Sequence, residues 1–555
     1  MKLEFIGADQ EVTGSCHYLK VGVLNILVDC GMEQGRNIFV NAALPVAPSA
    51  INYVFLTHAH IDHTGMLPKL YKDGFCGQVI TTEATMKLSD IMLRDSAHIQ
   101  SSEAEWKNKR ARREGTGEKA EPLYTVEDVI GLMRLFRPFR YGKRYKLCNG
   151  VEFRFTDVGH LLGSASIELW LSEGDTEKKI VFSGDIGNKN QPLLKDPELT
   201  AEADYVLVES TYGSRLHDVH TGDYEQELAD IIRTTLLRGG NVVIPSFAVG
   251  RTQEMLYFIR KIKQKNLFPE KPDFPVYVDS PLAVDATGVF SETGQECYDE
   301  EAMDYVRRGI NPLSFPNLNL TVSVDESKAI NEDPEPKVII AASGMCDAGR
   351  IRHHLKYNLW RPECTILFVG YQAEGTPGRN IADGATEVKL FGEVITVRAE
   401  IKMFDGLSGH ADRQGLLDWM KGFTKKPAQV FVVHGDEENA ASFVKLLNEE
   451  AGLNAMAPFS GTEYDLAADC FIKLTEGVRI GRPETAPEKG NGQGAESTGK
   501  ARLPHTVSDS YTNLKMTGRR LTDVIEGCSG MANKDLDAFS KELQALAEKY
   551  RIDEH

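Results

Sequence analysis

Residues 57–63 read Thr-His-Ala-His-Ile-Asp-His: three imidazoles and a carboxylate within seven positions, directly after the apolar run Tyr53–Leu56. That run reads as a buried strand, and a strand delivers the residues just past its end to the edge of a sheet. His58 and His60, two apart, point to one side while the backbone stays extended. Asp62 and His63 come where the chain turns into a helix expected from Thr64 to Tyr71. Two pairs of donors aimed differently suit two adjacent metal ions better than one. Imidazole mixed with carboxylate favours zinc, with iron or manganese as alternatives. His98, His353 and His505, which stand outside such a cluster, read as ordinary surface or core histidines.

A chain of 555 residues has room for two to four domains, and 41% hydrophobic content supplies real cores. No apolar stretch is long enough to span a bilayer, and Met1 leads straight into the strand-like Lys-Leu-Glu-Phe-Ile-Gly, so the expectation is a cytoplasmic protein with no membrane partner. Nine scattered cysteines without a CxxC pair fit reduced, structural thiols. A net charge of −18 excludes coating nucleic acid by bulk electrostatics, though not a local groove. Two basic runs, Lys107–Lys119 and Arg350–Lys356, read first as solvated helix faces.

Taken in order, strands are expected at Lys2–Ile6, Tyr18–Val21 and Asn25–Val28, the last ending in Asp29-Cys30-Gly31. Asp29 is either a group that orients a ligand histidine or a turn aspartate before glycine. Residues 82–138 read as helical with a flexible centre at Gly115 and Gly117, an insertion over the site. Strands resume at Val151–Val158, Ala165–Leu171 and Lys179–Phe182; the first runs into Gly159-His160 and the third into Ser183-Gly184-Asp185. A carboxylate has two oxygens, so Asp185 is the natural bridge between two metals.

Asp29, His-Ala-His-Ile-Asp-His, Gly159-His160 and Gly184-Asp185-Ile186-Gly187 together resemble the metallo-β-lactamase fold, a four-layer αβ/βα sandwich with a dinuclear metal site. That fold serves lactamases, glyoxalases, phosphodiesterases and nucleases, so it does not fix an activity. The second part of the chain narrows the choice. A strand over Asp204–Ser210 carries Glu209, and then strands and helices alternate from Tyr224 to Val369, the pattern of a parallel sheet with helices on both faces. Ser408-Gly409-His410-Ala411-Asp412 comes next, and strand Gln429–Val433 ends in His434-Gly435-Asp436, 249 positions after Asp185. These three stretches resemble the extra motifs of the β-CASP nucleases, as do residues 247–254 and 342–345. The expected class is therefore α/β, a metallo-β-lactamase sandwich with an inserted β-CASP parallel-sheet domain. Its expected parts are 1–205 and 386–470 for the sandwich, 206–385 for the insertion, and 471–555 for a linker and helical tail.

Histidine at the third motif is similar to the RNA-processing members, whereas DNA-acting relatives tend to have valine there. Asp412 stands where RNase J has the serine of its 5′-monophosphate loop, which points away from prominent 5′-exonuclease activity. The resemblance thus implies a zinc-dependent ribonuclease acting on single-stranded RNA, mainly endonucleolytic, in RNA processing or decay. A hydrolase of DNA or a small phosphodiester, and a non-catalytic scaffold, are the alternatives. His58, His60 and His160 would hold one zinc ion, Asp62, His63 and His434 the other, and Asp185 would bridge them. Asp62, His410 and Glu209 are the expected catalytic residues, with His410 as general acid beside Glu209. Ser343, Gly344, Arg251 and Lys356 are expected to hold phosphates. Beyond Cys470, residues 482–504 read as a flexible linker, and helices are expected at Asn513–Ile525 and Ser540–Tyr550. Docking a protein partner, capping the body and forming a homodimer all remain open for that tail.

Overall fold

The computed structural model describes residues 1–35, 38–115, 119–217, 222–404, 406–480 and 539–541. Met1–Gly481 form one unit and Arg482–His555 a second, of which only 539–541 are described, as helix. The linker at 482–504, the helix at Asn513–Ile525, nearly all of Ser540–Tyr550, and Gly117, His505 and Cys528 lie outside the described residues.

Short strands with buried Val, Ile and Leu build two sheets. The first has eight strands in the order Cys470–Lys473, Glu463–Asp465, Lys2–Gly7, Cys16–Val21, Leu24–Val28, Tyr53–Phe55, Gln78–Thr82, Phe136–Phe139. It begins antiparallel and becomes parallel from Leu24–Val28 onward. The second has seven: Ala455–Met456, Gln429–Val433, Tyr205–Glu209, Thr176–Phe182, Ala165–Glu173, Val151–Asp157, Tyr145–Cys148. Their facing sides share one core, in which Phe5, Ile26 and Phe55 from the first meet Phe153, Ile167 and Phe431 from the second. Phe55 and Phe153 meet edge to face at 5.2 Å. Removing one such ring from a close-packed core costs about 3–5 kcal/mol, so the strand ends that carry the site are firmly seated.

Helices cover both outer faces. Leu67, Leu93, Val129 and Leu132 pack on the first sheet, and Leu416, Trp419, Phe443 and Leu447 on the second, which gives the four-layer sandwich. Residues 82–138 form a helix from Glu83 to Glu114 and another from Val126 to Met133, and then pass into the edge strand Phe136–Phe139.

A third sheet is wholly parallel, in the order Leu318–Thr321, Val276–Asp279, Val338–Ala341, Val242–Pro245, Thr365–Phe368, Glu400–Met403. Separate apolar clusters lie on its two faces. Strand pairing moves both expected boundaries of the insertion. Tyr205–Glu209 lies in the sandwich, parallel to Thr176–Phe182 and Gln429–Val433, so a cut at 206 would split a strand. Glu400–Met403 belongs to the third sheet, beyond a cut at 385. Among the described residues no helix is long and apolar enough to cross a membrane.

Candidate metal centre

The histidines at 58, 60, 160 and 434 each sit just past a strand, and the three strands concerned end at the same place. Tyr53–Phe55 runs into His58 and His60, Val151–Asp157 into His160, and Gln429–Val433 into His434. Asp62 and His63 stand on the one-turn helix Ile61–Thr64. The turn after Val28 must pass under this helix: a Cβ on Gly31 would lie 1.6 Å from the Asp62 carbonyl oxygen, so only glycine fits. Asp29 and His434 both take left-handed backbone conformations, with φ of 60° and 49°. Such strain at non-glycine residues persists only where the surroundings over-determine it. At His434 they do, because its N–H donates to the Ala8 carbonyl at 2.7 Å.

The donors form two sets. His60 Nδ1 lies 3.0 Å from His58 Nε2 and 3.2 Å from His160 Nε2, and Asp185 Oδ2 is 3.4 Å and 3.6 Å from those two Nε2 atoms. On the other side His63 Nε2 and His434 Nε2 are 3.1 Å apart, and Asp62 Oδ2 is 3.5 Å from His434 Nε2. Asp185 Oδ1 lies on this side, 3.4 Å from His63 Nε2 and 3.5 Å from His434 Nδ1. Four donors around a tetrahedral ion with bonds of about 2.0–2.1 Å stand roughly 3.3 Å from one another, the spacing seen among His58, His60, His160 and Asp185. Asp185 Oδ1 is buried with no hydrogen-bond partner. A buried carboxylate oxygen left without a donor is costly, and a cation satisfies it. The residues present therefore fit bound metal.

For His58, His60 and His160 the protonation state agrees with this. Burial drives the imidazoles of His58, His60 and His160 below their usual range, leaving lone pairs free for coordination. Burial acts in the same direction on His63, but the Asp185 and Asp29 carboxylates override it and raise this group. Burial resists ionisation of Asp185, yet the surrounding histidines hold its carboxyl well below the ordinary range.

A further layer sets which ring nitrogen faces inward. Asp29 Oδ2 accepts from His63 Nδ1 at 2.7 Å and from the Thr57 hydroxyl at 2.9 Å. His160 Nδ1 donates to the Gly409 carbonyl at 2.8 Å. Partners of this kind typically account for 10–100-fold in metal affinity. Asp29→Asn keeps the left-handed backbone accessible, yet it puts an amide where the ring needs an acceptor. We expect about 10-fold or greater loss of zinc affinity, measured by competition with a chromogenic chelator; an unchanged affinity would remove Asp29 from the site.

His410 stands beside both sets, with its ring 4.4 Å from that of His160. Its Nδ1 is 3.2 Å from Glu209 Oε1, and Glu209 is itself fixed by the Ile186 N–H at 2.6 Å. Burial would lower the His410 pKa; Glu209, with Asp185 and Asp62 behind it, raises it to about 9. Glu209, Asp185 and His410 are also close enough to form a third donor group. Asp412 caps the helix Arg413–Met420 and accepts from the His217 N–H, while His217 Nε2 donates to the His410 carbonyl at 3.0 Å.

Three of the four residues expected to hold phosphates have protein partners for their side chains, and the fourth, Gly344, has one for its carbonyl. Arg251 is committed to Glu254 and, at 2.7 Å, to the Leu407 carbonyl, so it braces the loop that carries His410. Lys356 pairs with Glu393 at 2.8 Å. Ser343 donates to Asp347 at 2.5 Å. The Gly344 carbonyl accepts from Gln372, which lines a cavity of about 410 Å³ beside His410. That cavity exposes Tyr212, Arg215, His217, Tyr371 and Arg379, none of which the sequence singled out.

Three family descriptions match the chain: "Metallo-beta-lactamase superfamily" over residues 11–244, "Beta-Casp domain" over 252–381, and "Zn-dependent metallo-hydrolase RNA specificity domain" over 394–458. Ribonuclease TTHA0252 of Thermus thermophilus is 37% identical over 448 residues, covering 80% of this chain and 96% of that protein. An RNase J-like protein of Methanocaldococcus jannaschii is 30% identical, covering 83% and 98%. Transcription termination factor FttA of Methanosarcina mazei is 31% identical over 79% of this chain and 67% of its own length. The chain is a metal-dependent hydrolase of the β-CASP family within the metallo-β-lactamase superfamily.

Proposed function

We propose that this chain is a ribonuclease that uses two zinc ions to hydrolyse phosphodiester bonds within single-stranded RNA. The observation that carries the reading is the placement of Asp185, whose two oxygens face separate donor sets, with His410 outside both. His58, His60 and His160 would hold one ion and Asp62, His63 and His434 the other, with Asp185 lying between the two sets. Zinc bound there supplies an acidified water and offsets charge on the non-bridging phosphate oxygens.

The protein's own groups do the rest. Glu209 accepts from His410 Nδ1 and thereby orients the ring, leaving Nε2 to protonate the departing oxygen. The cavity beside His410 offers aromatic faces at Tyr212 and Tyr371 for an unpaired base. Arg215 lies over the Tyr212 ring and has no carboxylate partner among the described residues, so it is available to a phosphate. The RNA specificity match over 394–458 and the relative named a ribonuclease support RNA as substrate. Eight free cysteines among the described residues suit a cytoplasmic location.

Internally labelled RNA and DNA of one sequence, incubated with and without a chelator, test the reading. We expect internal fragments from RNA alone, abolished by chelation. Cleavage of DNA or bis(p-nitrophenyl) phosphate with RNA left intact would overturn the substrate assignment while leaving the centre in place.

A further inference from the structure

The helix Glu83–Glu114 is anchored at one end beside the metal centre and carries a cationic face at the other. Thr82 caps it, and the hydroxyls of Thr82 and Thr85 each donate at 2.8 Å to the carbonyl of Gly163, three residues past His160. Ala104 is its last buried residue. Beyond that point the helix is held by the returning chain: Asn108 gives and takes hydrogen bonds with the Ala120 backbone at 2.9 and 2.7 Å, and Gln100 accepts from the Leu123 N–H. Residues 100, 104 and 108 therefore define the inner side. Trp106, Arg110 and Arg113, spaced i, i+4, i+7, fall on the opposite one.

Lys107 and Arg112 flank the covered side and are exposed as well, and the surface they make with Trp106, Arg110 and Arg113 is unusual for this protein. Residues 105–115 contain five cations against two carboxylates in a chain of net charge −18. Lys109 and Arg110 pair with Glu105 and Glu114, whereas Lys107, Arg112 and Arg113 have no ion-pair partner among the described residues. Trp106 is 61% exposed, with the Arg110 guanidinium 5.8 Å from its ring. A solvated helix face needs cations but not an indole held in water. Cations beside an exposed aromatic are what single-stranded nucleic acid binds, through phosphate neutralisation and base stacking. We propose that the exposed surface of this helix from Trp106 to Arg113 is an RNA-binding arm that holds substrate strand away from the cleavage centre. The proposal rests on the ribonuclease reading. At 1.5 Å per residue Trp106 lies about 35 Å along the axis from Glu83, so the arm engages long strands and not short ones.

The test compares the full chain with a variant carrying Lys107→Gln, Arg110→Gln, Arg112→Gln and Arg113→Gln, substitutions that keep helix propensity, and with Trp106→Ala. Affinity for a labelled long single-stranded RNA is measured against salt, and turnover on that RNA, a tetranucleotide and bis(p-nitrophenyl) phosphate is monitored. We expect the quadruple variant to bind long RNA at least about ten-fold more weakly, with a log–log salt slope shallower by about 2–3, at roughly 0.7 per phosphate contact on single strands. Trp106→Ala should lose about five-fold or more, and turnover of the two short substrates should be unchanged. Equal affinity and slope in wild type and variant, with RNA still cut, would overturn the arm alone. Arm-dependent binding to phosphatidylglycerol vesicles with RNA affinity unaltered would overturn it in favour of a membrane surface. If wild type neither binds nor cuts RNA, the ribonuclease reading fails, and the arm with it.

Discussion

Replacing His410 with alanine should slow RNA cleavage by about 10²–10⁴-fold, the range typical of a lost general acid, while metal content stays at the wild-type level. The reason is positional. His410 Nδ1 is 3.2 Å from Glu209 and 4.0 Å from Asp185, so it borders the metal donors but belongs neither to the set of His58, His60, His160 and Asp185 nor to that of Asp62, His63 and His434. A sharper readout separates proton delivery from a merely structural role. A p-nitrophenyl phosphodiester releases an anion that needs no proton, so its hydrolysis should fall by less than about ten-fold in the same variant. Equal losses on both substrates would contradict the acid role, and loss of zinc would make His410 a ligand instead.

Asp185→Asn is expected to be more severe, because one carboxylate serves both donor sets. Its Oδ2 faces His58 and His160 and its Oδ1 faces His63 and His434. The substitution removes the negative charge that the two donor sets share and replaces one carboxylate oxygen with an amide nitrogen that is a poor metal ligand. RNA cleavage should drop to background. Stability should respond as well: metal at a hundred times its dissociation constant stabilises a folded chain by about 2.7 kcal/mol, so chelation should lower the melting temperature of wild type by several degrees. The variant's melting temperature should be nearly insensitive to chelator.

Much of this centre is legible in the sequence. A strand with closely spaced histidines just past its end carries its geometry in the residue order, since the strand fixes direction and alternation fixes side. His58, His60, Asp62, His63, His160, Asp185 and His434 consequently meet in space, and Asp29 reaches His63. The third sheet is legible where its strands are wholly apolar, as at Val242–Pro245 and Val338–Ala341. Its two edges are not, because Leu318–Thr321 and Glu400–Met403 alternate polar and apolar residues and stay partly exposed. A four-residue edge strand carries too little pattern to be told from a loop.

Arg251 and Lys356 show a different limit. A cation after a glycine or within a helix looks available in sequence, yet Glu254 and Glu393 occupy these two, and only packing reveals the partners. Tyr212 and Arg215 illustrate the converse. They lie within six residues of Glu209, but their value to a substrate depends on Tyr371 and Arg379 arriving from more than 150 positions away. The basic run after Trp106 gains meaning only once Asn108 and Ala120 show which side of its helix is covered.

The central claim is that one carboxylate organises two zinc ions into a ribonuclease centre. Zinc per chain, determined by elemental analysis on the same wild-type and Asp185→Asn preparations assayed for RNA cleavage, tests it most directly. The account predicts two ions per wild-type chain with active cleavage, and fewer than one per variant chain with none. Wild type that cuts RNA without metal, or a variant that keeps both ions and its activity, would contradict it.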